Sequence, residues 1–177
     1  MKVPIDSEYA DGSTRDIVDD GMERWQRERP DIDCSGKAVV GRILRLQDVI
    51  LTAVNDALSA HGLTYSSYAV LATLRSRGAP FAMSPSELTH TLLLSSGGLS
   101  NLLSRLEKSA WVTRLADPDD GRGVIVRLSA KGRRLADRAM GDHAAVERKL
   151  IDMFSKREQG QLADLLRRML IAGEEKP

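Results

Sequence analysis

The sequence predicts a mainly helical protein that carries one small β-hairpin. Apolar residues recur every three to four positions over most of the chain, which is the period of a helix with one buried face. The period shortens to two in the runs 111–115 and 124–128, as expected for two paired strands. The segment between these runs is rich in aspartate and glycine, which are typical turn residues.

Composition favours a soluble protein of the cytoplasm. The formal net charge is +1 over 177 residues, so a polyanionic partner has to meet a local basic surface. Cys34 is the single cysteine, which excludes an intramolecular disulfide and fits a reducing compartment. The N-terminus is acidic, unlike a signal peptide, and no apolar run is long enough to span a membrane. We expect neither a membrane partner nor a cofactor.

Two helices are predicted in the first third of the chain. The first covers residues 14–29, includes Trp25 among its apolar positions, and ends at Pro30. The second covers residues 36–60, has a broad apolar face, and stops at Gly62.

Three shorter helices are predicted next. The first, over residues 64–77, has four candidate core residues: Tyr68, Val70, Leu71 and Leu74. The second starts at Ser84, where a capping serine, a proline and the glutamate of a capping box follow in register, and ends near Leu92. The third starts at Ser95 or Ser96. Its buried face is predicted to hold Leu99, Leu102, Leu103, Leu106 and Ala110.

Two long helices are predicted after the hairpin. Ser129 caps a helix over residues 130–154, and a capping box from Ser155 to Glu158 opens the last one. The last helix carries five apolar residues at helical spacing: Leu162, Leu165, Leu166, Met169 and Leu170. These apolar faces exceed what the central module alone can cover, and such patches normally mark an interface. We therefore predict a homodimer joined through its terminal helices.

Two short helices followed by a hairpin describe a winged helix-turn-helix, whose second helix enters the major groove of DNA. Serine, asparagine and arginine side chains can bond base edges or phosphates, and glycines at a helix start let backbone N–H groups approach a phosphate. The alternative is a merely solvated helix face. The candidate DNA contacts on this helix are Ser95, Ser96, Gly97, Ser100, Asn101, Ser104, Arg105 and Lys108.

The hairpin adds a further candidate DNA contact. Arg122 lies near the tip of the turn and is suited to insertion in the narrow minor groove. Asp120 is placed to hold its guanidinium. The alternative is an exposed arginine that only neutralises nearby acids.

No catalytic constellation is found in the sequence. The three histidines, His61, His90 and His143, are expected to lie far apart on unrelated helices, and motifs for hydrolase, metalloprotease or phosphate-loop chemistry are missing. We expect a protein that is not an enzyme. A winged-helix adaptor that binds only proteins is the alternative, although it has no need of Arg105 and Arg122 together.

The motifs resemble the MarR family of bacterial transcriptional regulators. The resemblance rests on residues 93–101, 105–107, 117–124 and 128–132. It implies a sequence-specific repressor that binds double-stranded DNA, a homodimer on a pseudopalindromic operator, and Arg122 as the wing-tip arginine. Gly121 stands where such wings often have a second basic residue. The division that follows is a flexible tail (1–13), N-terminal helices (14–60), a winged helix-turn-helix DNA-binding domain (61–129) and C-terminal dimerisation helices (130–177).

The added first helix is similar to that of the urate-responsive and PecS-type subgroup. There a tryptophan, two arginines and an aspartate line a pocket for a small anion. Trp25 and Arg114 match two of these places, whereas Ala69 and Leu102 occupy the others. The resemblance thus implies a small-molecule effector, and the loss of polar groups favours an aromatic or phenolic acid. The alternative for Trp25 is a packing staple.

Cys34 offers a different mode of regulation. A lone cysteine could make the protein redox-responsive, but no basic residue that would activate the thiol stands near it in sequence.

Overall fold

The computed structural model of the chain describes residues 15–92, 94–117 and 123–174. The predicted tail and the turn that carries Arg122 lie outside the described residues. Within them the fold class is as predicted, because helices dominate and the strands form one small sheet. The helices are α1 (Ile17–Glu28), α2 (Lys37–Ser59), α3 (Tyr65–Ser76), α4 (Pro85–Leu92), α5 (Ser96–Lys108), α6 (Ala130–Leu150) and α7 (Lys156–Glu174). The strands are β1 (Ala82–Met83), β2 (Val112–Ala116) and β3 (Val124–Leu128).

The chain divides into two compact units, residues 1–49 and 50–177. In the first unit a capping box begins α1, since the Asp16 carboxylate accepts from the backbone N–H of Asp19 while the Asp19 carboxylate accepts from that of Asp16. Arg42 of α2 ion-pairs with both carboxylates at 2.8 Å. Two hydrogen bonds hold the pKa of Asp19 below its usual value. The bond from the Asp16 N–H has the larger effect, and the bond from Arg42 has the next largest.

The second unit contains an aliphatic core. Residues from α2 to α6 and from all three strands fill it, and the predicted core residues Tyr68, Val70, Leu71 and Leu74 are all buried. No described helix is long and apolar enough to cross a membrane. The domain boundaries given above stay predictions.

Two helices end in a Schellman motif, in which the residue after the cap is left-handed. Gly62 takes this place after α2 with φ of 69°, as its glycine predicts. Ala110 takes it after α5 with φ of 57°, and the N–H of Trp111 donates to the carbonyl of Leu106. The prediction that Ala110 continues the buried face of α5 is therefore wrong, because the chain has already left the helix there.

The sheet has the strand order β1-β3-β2 and is antiparallel throughout. The predicted hairpin is confirmed, with Val112 opposite Leu128 and Ala116 opposite Val124. Strand β1 was not predicted, since it has only two residues and is ordered by pairing with a strand more than forty residues away.

The helix α6 ends at Leu150, so the prediction that it continues to Phe154 is wrong. The carbonyls of Ile151 and Phe154 accept hydrogen bonds from the Gln159 side chain of α7 instead. The apolar pattern continues through this turn although the helix does not. The predicted capping box between Ser155 and Glu158 is present and begins α7.

Candidate nucleic-acid interface

A capping box fixes the start of α4, the first helix of the predicted pair. The Ser84 N–H donates to the Glu87 carboxylate at 2.8 Å, and the Glu87 N–H donates to the Ser84 hydroxyl at 3.2 Å. The hydrogen bond from the Ser84 backbone N–H lowers the pKa of Glu87 most, and the bond from the Ser84 hydroxyl lowers it further, so that this pKa lies below its usual value. The carboxylate is thus charged at neutral pH and satisfies the helix start.

The start of α5 is capped and exposed. The Ser95 hydroxyl accepts from the N–H of Gly98 at 3.2 Å, and Ser96, Gly97 and Gly98 all lie at the surface. A Cβ built on Gly97 would meet no atom within 4 Å. Packing in the described chain therefore does not require a glycine there, and the backbone is open to a bulky partner.

The side of α5 away from the core is polar. Leu99, Leu102, Leu103 and Leu106 are buried, as predicted. Asn101, Arg105 and Lys108 are exposed, and in the described part of the chain their side chains make no hydrogen bond or ion pair. Their donors are available for an external ligand.

Ser104 differs from these three residues because its hydroxyl is bonded, and Ser100 takes part through its backbone carbonyl alone. The Ser104 hydroxyl donates to the Ser100 carbonyl at 3.0 Å and accepts from the Arg114 guanidinium at 3.0 Å. Arg114 also donates to the Ser100 carbonyl at 3.2 Å. The tie between Arg114 and α5 was not predicted. The spacing of Ser100, Ser104 and Glu107 is a signal for it, because i, i+4 and i+7 share one side of a helix.

The basic residues after the hairpin are engaged within the protein. The Lys131 ammonium donates to the carbonyl of Ser109, at the end of α5. The Arg133 guanidinium lies 5.4 Å from the centre of the Phe81 ring. These contacts give both side chains a role within the fold.

A groove of about 640 Å³ lies between α4, α5 and the hairpin. Most of the surface that lines it is apolar, and Arg114 is the one arginine among the lining residues. The lining residues are Pro85, Ser86, Thr89, His90, Ser96, Leu99, Ser100, Leu103, Arg114 and Val124.

Trp25 belongs to the first unit, where it borders a separate groove of about 360 Å³. Its ring is half-exposed, and the Lys37 ammonium lies 5.5 Å from the ring centre. Glycines on both helices border this groove, and Val18 lies close to Gly41. Cys34, in the same unit, is a partly exposed free thiol.

Two of the histidines are closer than predicted. His61 lies 2.7 Å from the Asp142 carboxylate of α6, and the neighbouring His143 is buried and stacked on Tyr68. The expectation that His61 and His143 lie far apart on unrelated helices is therefore wrong, because the turn after α2, which carries His61, packs against α6. Among the described residues no group of three metal-ligating side chains is found.

Comparisons with known proteins agree with this architecture. The profile of the MarR family matches residues 61–123. The chain is 35% identical over 152 residues to the HTH-type transcriptional regulator PecS of Dickeya dadantii (strain 3937), covering 86% of this chain and 92% of that protein.

Two solved structures are similar in fold. A mutant of MarR from E. coli in complex with operator DNA aligns with a TM-score of 0.69 at 26% identity, covering 78% of this chain and 99% of that one. AbsC, a MarR family transcriptional regulator from Streptomyces coelicolor, aligns with a TM-score of 0.73 at 21% identity, covering 82% and 98%. The similarity to AbsC, at 21% identity, concerns the fold alone.

Proposed function

Because the chain belongs to the MarR family of transcriptional regulators, we propose that it is a homodimeric repressor that binds a pseudopalindromic operator and is released by a small effector. The observation that carries the proposal is the polar face of α5, on which the Asn101, Arg105 and Lys108 side chains are exposed and form no hydrogen bond or ion pair within the described chain. A surface of this kind, on the second helix of a winged helix-turn-helix, is the part that reads base edges.

Nine residues are proposed to contact DNA. The exposed, glycine-containing start of α5 suits phosphate contact through backbone N–H groups, and its polar side chains suit base edges. Arg122, which lies outside the described residues, is proposed for the minor groove on its sequence context. The full set is Ser95, Ser96, Gly97, Ser100, Asn101, Ser104, Arg105, Lys108 and Arg122.

The exposed face of α7 supports a homodimer. None of its residues is buried, although five of its large apolar side chains lie at helical spacing. Covering such a face with a second copy removes it from water, and a two-fold dimer presents two reading helices to two half-sites. The exposed apolar residues of this helix are Leu162, Leu165, Leu166, Met169, Leu170 and Ile171.

The proposed effector is a small aromatic or phenolic acid. The groove beside Arg114 has a mostly apolar lining, and a guanidinium suits a carboxylate. Trp25 is proposed as an effector contact on the resemblance alone. An effector that prefers the DNA-incompetent form lowers operator affinity by linkage. In this proposal the chain is a cytoplasmic regulator and not an enzyme.

The proposal is tested by equilibrium binding. Purified protein is titrated against the inverted repeat nearest its own coding region and against a scrambled duplex, at one salt concentration. We expect at least about a thousandfold preference for the repeat. Equal affinity for both duplexes contradicts DNA recognition and favours the adaptor.

A matched pair of variants locates the interface. Arg105→Ala removes an exposed arginine from the reading face of α5, whereas Arg157→Ala removes an exposed arginine from α7. Only the first should weaken operator binding. An equal loss in both variants means that α5 is not the reading helix.

A further inference from the structure

Arg114 of β2 is joined to α5 at three points along that helix. Its guanidinium donates to the Ser100 carbonyl and to the Ser104 hydroxyl, at 3.2 and 3.0 Å. Its Nε lies 3.6 Å from the Glu107 carboxylate, which also accepts from the Arg114 backbone N–H at 3.1 Å. One residue of the wing thus spans two turns of the neighbouring helix.

The tied side of α5 lies directly beside its reading side. Ser100, Ser104 and Glu107 are spaced as neighbours along the helix. Asn101 and Arg105, each one position after a tied serine, are exposed and carry no such bond in the described chain. A rotation of α5 about its axis would therefore stretch the Arg114 bonds. It would also move the Asn101 and Arg105 side chains across the DNA groove that α5 is proposed to read.

The leucine face of α5 sets which side of the helix faces the core, and the Arg114 bonds add a directional constraint to that packing. Apolar packing is non-directional, whereas hydrogen bonds from a planar guanidinium specify both distance and angle. The Ser104 hydroxyl is particularly restrictive, because its proton is committed to the Ser100 carbonyl and a lone pair to Arg114. These bonds are partly exposed, so they contribute little to the free energy of unfolding.

We propose that Arg114 is a positioning residue, which sets the rotation of α5 relative to the wing and so sets operator specificity without itself touching DNA. The inference rests on the proposed function, since it concerns the helix assigned there to base reading. It is separate from the proposed effector contact, because it operates in the effector-free protein.

The test compares Arg114→Gln with Arg127→Gln. Arg127 is an exposed arginine on β3 that has no hydrogen bond to α5 in the described part of the chain. Binding to the operator and to a scrambled duplex is measured without effector over a range of salt concentrations. We expect Arg114→Gln to lower operator affinity about tenfold, the scale of one misplaced base-reading contact. Affinity for the scrambled duplex, the salt slope and the unfolding midpoint should not change, and Arg127→Gln should keep the parent's preference.

A second substitution keeps the inference testable if Arg114→Gln is poorly folded. Glu107→Ala removes the carboxylate that accepts from the Arg114 backbone N–H, at a residue outside the proposed DNA contacts, whereas Glu107→Gln keeps an acceptor oxygen and should restore specificity. In the double variant Arg114→Gln/Glu107→Ala, the two losses should not add, because both break one network.

Three results would overturn the inference. An equal loss on both duplexes, with the salt slope reduced by about one, makes Arg114 a phosphate contact. Unchanged operator affinity with an altered effector response makes it an effector contact only. Additive losses in the double variant mean that Arg114 and Glu107 act separately. Failure of the parent protein to prefer the operator is a different outcome, which contradicts the proposed function instead.

Discussion

Gly132, near the start of α6, lies against a backbone carbonyl. A Cβ built on this residue would stand 2.1 Å from the Trp111 carbonyl oxygen and 2.9 Å from a methyl of Leu128. The same oxygen accepts from the N–H of Ser129, the cap of α6. Glycine is therefore required here by a close backbone approach between α6 and the corner that leads into β2.

The expected effect of Gly132→Ala has two opposed parts. Alanine favours a helix interior over glycine by about 1 kcal/mol. The added methyl needs about 1 Å of movement, and because the nearest obstacle is backbone in a close-packed region, overpacking costs about 1–3 kcal/mol, with this site at the upper end. We therefore predict a net loss of about 2 kcal/mol in the free energy of unfolding.

Gly141→Ala is a matched control on the same helix, because a Cβ there meets nothing within 4 Å. It should be stabilising by about 0.5–1 kcal/mol. Urea unfolding, followed by circular dichroism at one protein concentration because dimer stability depends on it, measures both variants. A Gly132→Ala protein as stable as the Gly141→Ala protein would refute the argument from backbone approach.

Three further predictions concern the interface and the first unit. Arg122→Ala should weaken operator binding by about 1–3 kcal/mol in a fluorescence anisotropy titration; unchanged affinity removes the wing from the interface. Asn101→Ala should change the preferred bases in a selection experiment more than the affinity for scrambled DNA, and a uniform loss indicates a phosphate contact instead. The Asp19 carboxylate, whose pKa the bonds from Asp16 and Arg42 lower, should titrate below its ordinary value of about 4. Its contribution to stability is present above that value and is lost as the pH falls through the lowered pKa; an NMR titration in which Arg42→Gln leaves this pKa unchanged contradicts the assignment.

Local signals in the sequence were sufficient for most of the fold. Caps and capping boxes are set by residues within one turn, so Ser84, Ser95 and Ser129 begin their helices as predicted. The leucine face of α5 follows from its period alone. Gly62 ends α2 because the Schellman motif needs a left-handed residue at this place, and glycine takes that conformation without strain.

The errors share a physical origin, because the tertiary structure around each of these residues decided its conformation or its contacts. Strand β1 exists through its pairing with β3. Ala110 is left-handed although alanine favours helix, because the Schellman bonds require that conformation. His61 contacts Asp142 only because α6 packs against the turn after α2. None of these contacts has a signature within a short window of sequence.

The candidate site was predicted in part. Polar residues opposite a leucine face identified Asn101, Arg105 and Lys108, and the structure leaves all three exposed. The internal engagement of Ser104 was not predictable, because it depends on Arg114 reaching α5 from a strand that is ten residues away. Sequence periodicity gives the face of a helix but not which side chains on it are already bonded.

The most direct test of DNA recognition by a symmetric dimer is a hydroxyl-radical footprint of the purified protein on its operator. Two reading helices related by a two-fold axis should protect two half-sites whose centres lie about one helical turn apart, roughly 34–36 Å. The Arg105→Ala protein should lose both protected regions together. A single protected half-site, or protection that is the same on a scrambled duplex, would contradict the account.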